Sequence, residues 1–263
     1  MAQLSCTFFS EVLGTETNLC VVLPDPKNFP GVSSPKFQTL TLLHGFSDNQ
    51  SDWLRKSSAE RYACDRCLAL VLPFADKSFY TDMAYGDRWW TYISEELPAV
   101  ARAYFPLSER REDNFVAGNS MGGYGAFKLA LRHPERYAAA VSFSGALDMA
   151  TVAHFGAEQM EGMAPPFSLV FGDLDSVGGS ENDLLHLLRA NAAAKNNLPA
   201  LQMYCGRQDF LLEANHRFKA LADGLGVPCG YVEEEGDHDW PYWDRWLRQA
   251  LDWLPLRGAP VEG

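Results

Sequence analysis

No run of about 18 apolar residues occurs in this chain, so no membrane-crossing helix is expected. Residues 1–10 carry no basic stretch followed by a long apolar one. No secretory signal is expected there, and the expected location is cytoplasmic. Basic residues are scarce: 22 Lys and Arg face 34 Asp and Glu, a formal charge of −12. Such a surface repels phosphate backbones and anionic lipid, which argues against nucleic-acid and membrane partners and suits a weakly charged small molecule. Cysteine is sparse too. Six cysteines in 263 residues show no disulfide framework. The single CxxC, Cys64 to Cys67, has neither a second CxxC nor a His pair nearby to complete a metal site. Internal repeats, low-complexity tracts and an interdomain linker are also missing, so residues 1–263 read as one domain.

What is present is apolar and aromatic: 47% and 13% of residues, enough to bury a large core. Short apolar runs alternate with amphipathic stretches. Strands are expected at 4–9, 18–23, 39–43, 68–72, 114–117, 137–143, 167–171, 200–204 and 229–233. Helices are expected at 52–64, 88–104, 121–132, 181–194 and 210–224. The last helix is the clearest, with Trp240, Trp243, Trp246, Leu247, Ala250, Leu251 and Leu254 on one face. This alternation predicts an α/β fold, a mostly parallel sheet covered on both faces. The four prolines within 24–36 predict a loop there. Two further segments, 76–88 and 147–166, interrupt the alternation and are expected to shape a pocket.

The strongest chemical signal is Gly118-Asn119-Ser120-Met121-Gly122, a G-x-S-x-G motif between the apolar strand at 115–117 and a helix. A nucleophile on such a turn needs glycine on both sides, because Cβ atoms there would clash. The helix that follows aims free N–H groups at the hydroxyl. An oxyanion needs two N–H donors, and the candidates are the amide of Met121 and that of Phe46 in the loop His44-Gly45-Phe46. The triad order on this kind of turn is Ser, then acid, then His. His238, in the loop between the last strand and the last helix, fits the base. His44 does not, and reads as a structural group whose ring braces its own loop. Asp209, after the strand at 200–204, fits the acid, with Asp173 and Asp175 as rivals. Asp237 and Asp239 read as loop braces. The aromatics Phe79, Tyr80, Tyr85, Trp89 and Trp90 are candidates for the pocket wall, though core packing explains Trp89 and Trp90 equally well. Trp240 beside the catalytic loop is a candidate for substrate contact, as is Gly45.

Taken together, the run from Gly118 to Ala126, His44-Gly45-Phe46 followed by Trp53-Leu54, Gly206-Arg207-Gln208-Asp209 and Asp237-His238-Asp239-Trp240 resemble the tributyrin esterase group. That group sits within the esterase D and S-formylglutathione hydrolase-like family. The resemblance runs from about residue 5 to 254. It implies an α/β-hydrolase fold, a Ser–Asp–His triad, hydrolysis of short-chain acyl esters (acetylated or feruloylated sugars among them), no metal or organic cofactor, and a tendency to form homo-oligomers. S-formylglutathione hydrolases typically carry His before the nucleophile and a different oxyanion loop. Here Asn119 and His44-Gly45-Phe46 stand at those positions, which favours esters over the glutathione thioester. A peptidase of the same fold and a binding protein that has lost catalysis are the other readings.

Overall fold

The computed structural model describes residues 1–25, 27, 35–159, 167–259 and 261–262, apart from the side chains of 155–159 and 261–262. Strands β1 (Ala2–Ser10) and β2 (Thr15–Leu23) form an antiparallel hairpin. After the short β3 (Pro35–Lys36) come β4 (Thr39–Leu43), β5 (Ala69–Pro73), β6 (Asn114–Asn119), β7 (Ala139–Phe143), β8 (Ala200–Gly206) and β9 (Cys229–Glu234). Eight of these strands make one sheet in the order β1-β2-β5-β4-β6-β7-β8-β9. It is parallel from β5 to β9 and antiparallel at β1, β2 and the β2–β5 junction. The short β10 (Val261–Glu262) pairs only with β3.

Helices α1 (Asp52–Lys56), α2 (Ala59–Cys64), α3 (Trp89–Thr91) and α4 (Leu97–Tyr104) precede β6. Then follow α5 (Met121–Arg132), α6 (Met149–Gln159), α7 (Phe167–Phe171), α8 (Leu184–Ala194), α9 (Leu212–Gly224) and α10 (Trp240–Trp253). Side chains alternate between the faces of each strand, and the core divides accordingly. Val116 and Ala140 pack with Tyr124, Phe127, Leu188 and Phe218 on one face. Phe115, Ala117, Val141 and Phe143 pack with Trp53, Tyr62, Trp243 and Trp246 on the other.

The register aligns the carboxyl ends of the parallel strands. Leu43 stands opposite Gly118, Asn119 opposite Phe143, Phe143 opposite Tyr204, and Gly206 opposite Glu234. The loops after β4, β6, β8 and β9 therefore open on one edge, where parallel sheets hold their sites.

The chain departs from the sequence pattern in several places. Residues 167–171 form the helix α7, not a strand. A five-residue apolar run fits either geometry, and β8 already fills the slot beside β7. The helix expected at 52–64 breaks at Ser57, whose backbone is extended, φ −138° and ψ 178°. The helix expected at 88–104 contains a π-helical turn, Tyr92–Glu96. Helix α8 starts later than expected because Asp183 caps it, accepting from the Leu185 and His186 N–H groups. The loop at 24–36 lies mostly outside the described residues, as does the 160–166 part of the second insertion.

Helix α5 lies against β4 and β6 at backbone contact distance. A Cβ on Gly122 would stand 2.4 Å from the Leu43 carbonyl oxygen, and one on Gly118 would stand 2.4 Å from the Gly122 carbonyl carbon. Neither neighbour is a side chain that can swing away. Gly122→Ala is accordingly expected to cost about 2–4 kcal/mol of unfolding free energy, read by denaturant titration. A variant as stable as the parent would contradict this packing.

Candidate active site

Ser120 occupies the junction between β6 and α5 with φ 55° and ψ −117°, a conformation that L-residues rarely adopt. Its own N–H donates to the Phe143 carbonyl at 2.9 Å, which ties the turn to β7. Its carbonyl accepts from the Tyr124 N–H at 3.2 Å, the first bond of α5. The N–H of Met121 stands ahead of that bond with no partner among the described residues, as the first amides of a helix must.

His238 and Asp209 come from the loops after β9 and β8. The His238 Nδ1 lies 2.9 and 3.0 Å from the two Asp209 carboxylate oxygens. Asp209 is 4% exposed, and its Oδ1 also accepts from the Leu211 N–H at 2.8 Å. With Nδ1–H donating to a carboxylate, the ring's Nε2 carries the free lone pair. The two loops are laced together. Gln208 N–H donates to the Gly236 carbonyl at 3.0 Å, and Gly236 N–H donates to the Gln208 side chain at 2.8 Å. Asp237 accepts from the His238 N–H, and Asp239 caps α10 through the Tyr242 N–H. The rivals lie elsewhere: Asp173 accepts from the Asp175 N–H in an exposed 3-10 turn, and Asp175 stands 3.4 Å from His154.

Ser120 and His238 line one cavity of about 710 Å³, within the range of small-molecule sites. Its walls fall into two aromatic groups. Phe46, Phe79 and Phe167 touch one another, with centroids 5.1–6.2 Å apart. Opposite them, Trp243 stands edge-on to His238 at 5.0 Å and to Trp240 at 5.2 Å. Phe210, 61% exposed, lies 4.5 Å from the His238 ring. Lys56 is the one lysine or arginine among the described lining residues. Its Nζ is 2.9 Å from both Asp48 and Asp52, and 5.1 Å over the Trp240 ring. Among the described residues, no three His, Cys, Asp or Glu are grouped to hold a metal ion.

Of the triad, oxyanion and substrate-contact residues named from the sequence, all but Tyr85 meet here. Gly45, Phe46, Ser120, His238 and Trp240 line the cavity, and Asp209 and Met121 stand directly behind it. Gly45 is needed for space, not for a left-handed turn: a Cβ would lie 2.9 Å from both the Asn119 Nδ2 and an Asp48 oxygen. Tyr85 is the exception. It is 72% exposed and outside the cavity lining, and its N–H pairs with the Leu169 carbonyl. Of the other aromatics, Phe79 lines the cavity, while Tyr80, Trp89 and Trp90 are buried in the core. Phe167, Phe210, Asp48 and Lys56 gave no signal of their own in the sequence, although Phe210 adjoins Asp209 and Asp48 follows the oxyanion loop.

A serine raised on a strained strand–helix turn, lining one cavity with a carboxylate-paired imidazole over a parallel sheet, defines a serine ester hydrolase of the α/β-hydrolase fold. The Esterase family model matches residues 10–254, and the chain belongs to that family. A protein of Caldicellulosiruptor saccharolyticus named acetyl esterase is 31% identical over 261 residues, 97% of this chain and 98% of that one. The substrate-bound structure of the Staphylococcus aureus fluorophosphonate-binding serine hydrolase F superposes with a TM-score of 0.89 at 36% identity, covering 96% and 98% of the two chains. An apoenzyme structure named S-formylglutathione hydrolase, also from Staphylococcus aureus, gives 0.86 at 36% identity, with the same coverage. No helix among the described residues is long and apolar enough to cross a membrane.

Burial pushes the pKa of two histidines outside the proposed triad downward. Burial lowers the pKa of His44 below its ordinary 6.5 despite Asp48, Asp52 and Asp76 nearby, and burial together with Arg136 lowers that of His133. The unfolded chain therefore takes up protons below about pH 6.5 that the folded chain refuses. The stability from these two rings is complete above that pH and is lost on acidification, at up to about 1.4 kcal/mol per pH unit for each ring. The melting temperature is expected to fall between pH 7 and pH 5. A flat or rising profile over that window would contradict it.

Proposed function

We propose that the chain is a carboxylesterase for short-chain acyl esters, with Ser120 as nucleophile, His238 as general base and Asp209 as the group that orients and stabilises the imidazole. The observation that carries this reading is the Asp209–His238 pair, 2.9 Å apart, opening into the same cavity as Ser120 on its strained turn. In the first step the Ser120 oxygen bonds to the ester carbonyl carbon while His238 Nε2 takes the hydroxyl proton. The Met121 and Phe46 N–H groups hold the oxyanion. The tetrahedral species collapses as His238 returns the proton to the leaving alcohol. Water, deprotonated by His238, then attacks the acyl-serine; the second tetrahedral species collapses as His238 passes that proton to the Ser120 oxygen, and the carboxylic acid is released.

The proton return fixes which wall receives which half of the substrate. The leaving oxygen must lie on the side of His238, so the alcohol faces Trp240, Trp243 and the Asp48–Lys56 pair. The acyl group then faces Phe46, Phe79 and Phe167. Among the described lining residues this wall carries no charge, although the Lys77 Nζ stands 5.5 Å over the Phe46 ring, and it suits a short alkyl or aryl chain.

Similarity to the S-formylglutathione hydrolase supports a second reading, thioester hydrolysis. The pocket suits esters better, because glutathione carries carboxylates and Lys56, the one lysine or arginine among the described lining residues, already pairs with two aspartates. Homo-oligomer formation is part of the proposal through the resemblance alone.

On p-nitrophenyl acetate, Ser120→Ala is expected to lose about 10⁶-fold in kcat and Asp209→Asn about 10⁴-fold. Ser120→Ala should also lose labelling by a fluorophosphonate. Retained hydrolysis in Ser120→Ala would sink the nucleophile assignment. A kcat/KM at least tenfold higher for p-nitrophenyl butyrate than for S-formylglutathione is expected from the purified enzyme, and the reverse order would establish the thioester reading.

A further inference from the structure

His44 is 1% exposed, lies outside the proposed triad, and has both ring nitrogens engaged by backbone. The Ala75 N–H donates to Nε2 at 3.0 Å. A nitrogen that accepts from an N–H carries no proton, so the ring is the neutral Nδ1–H tautomer. Nδ1–H therefore donates to the Gly45 carbonyl, 2.7 Å away. The ring cannot swing. It stacks on Phe74 with centroids 5.9 Å apart, and the Tyr80 hydroxyl donates to the His44 carbonyl at 2.9 Å.

The consequence lies one bond further along the chain. The Gly45–Phe46 peptide is trans, so its C=O and N–H point in opposite directions. Drawing the Gly45 oxygen toward the His44 ring sends the Phe46 N–H the other way. Gly45 and Phe46 both line the cavity, and the Phe46 N–H has no partner among the described residues. The Asp48 N–H also reaches the Gly45 oxygen, but at 3.2 Å, the longer of the two bonds.

We infer that His44 is a positioning residue for the oxyanion hole: its Nδ1–H holds the Gly45–Phe46 peptide in the one orientation that presents the Phe46 N–H to the oxyanion. The inference rests on the proposed use of that N–H in ester hydrolysis. A peptide free to flip would present a carbonyl oxygen to the developing charge instead. Substrate binding would change little, because the loss appears only where charge develops.

The two nitrogens can be tested apart. In His44→Asn the side-chain amide can occupy the Nδ1 position and donate to the Gly45 oxygen. In His44→Gln the amide reaches the Nε2 position and accepts from Ala75, leaving the Gly45 oxygen without its donor. Both variants give up the ring packing, so both should melt lower by similar amounts. On p-nitrophenyl acetate His44→Gln is expected to lose about 10²-fold in kcat with KM unchanged, as for loss of an oxyanion donor. His44→Asn should recover at least tenfold over His44→Gln. Equal loss in the two variants, a loss that appears in KM, or a His44→Gln enzyme with parental kcat overturns the inference. The last result would mean that the Asp48 N–H suffices. In any of these cases a parent that hydrolyses the ester and an inactive Ser120→Ala leave the esterase reading standing. An inactive parent overturns both.

Discussion

Everything at the carboxyl edge of the sheet depends on the closeness of α5 to β4 and β6. Gly118 and Gly122 let three backbones meet where any side chain would separate them. That closeness turns the chain sharply enough to leave Ser120 at φ 55°, with the amides of α5 directly behind it. It also fixes β4, whose Leu43 carbonyl accepts from the Trp53 indole at 2.9 Å. The loop after β4 is thus set at a fixed distance from the nucleophile before any of its own bonds form. The strain at one residue is small beside the many backbone and side-chain contacts that impose it.

The cavity wall is tied to the same helix by a buried lysine. Lys128 is fully buried two turns into α5, and burial drives its pKa far down. Its Nζ lies 3.1 Å from the Tyr80 carbonyl, 2.9 Å from the Thr81 hydroxyl and 2.7 Å from the Asn182 side-chain oxygen. The ring of Trp90 lies below it, 4.9 Å away. Three neutral acceptors and an aromatic face thus satisfy a group that would otherwise be costly to bury. The residues held are the turn at Phe79 and Tyr80, both at positive φ. Phe79 forms part of the cavity wall, and Tyr80 supports His44 from below. Helix α5 therefore organises the site twice, through its first turn and through Lys128.

The legible parts of the site were those that local sterics or chain order dictate. Glycines flanking Ser120 are demanded by contacts that any such turn makes, so the motif carries its own geometry. Asp209 and His238 could be named because they follow successive strands of a parallel sheet, and parallel register brings such loops to one edge. The cavity wall was less legible. Phe167 sits in an apolar run whose length fits strand or helix, and only the pairing of β7 with β8 decides between them. Tyr85 resembles its aromatic neighbours in sequence, yet its ring is exposed to solvent. Asp48 and Lys56 lie eight positions apart, and nothing in that spacing announces a pair under a tryptophan. Which side chains face a cavity is settled by long-range packing, and periodicity does not encode it.

This division has a consequence for how such an enzyme can change its substrate. In the proposed mechanism the reacting groups stand on turns where backbone touches backbone, and these tolerate almost no substitution. The acyl wall draws on the β4 loop, the turn at Phe79 and α7. The alcohol side draws on the same β4 loop through Asp48, and on α1 and the start of α10. Apart from the β4 loop, the two walls belong to different segments and meet only across the cavity. Substitutions at Phe79 or Phe167 can reshape the acyl side without touching the Asp209–His238 pair, and changes at Lys56 or Trp240 can alter the alcohol side without moving Ser120. Gly45 and Phe46 are the exception. In that mechanism they stand at the oxyanion hole as well as in the cavity lining, so Phe46 can change its ring only while its amide stays where it is. A residue used for its backbone constrains direction, and its side chain remains free to set size.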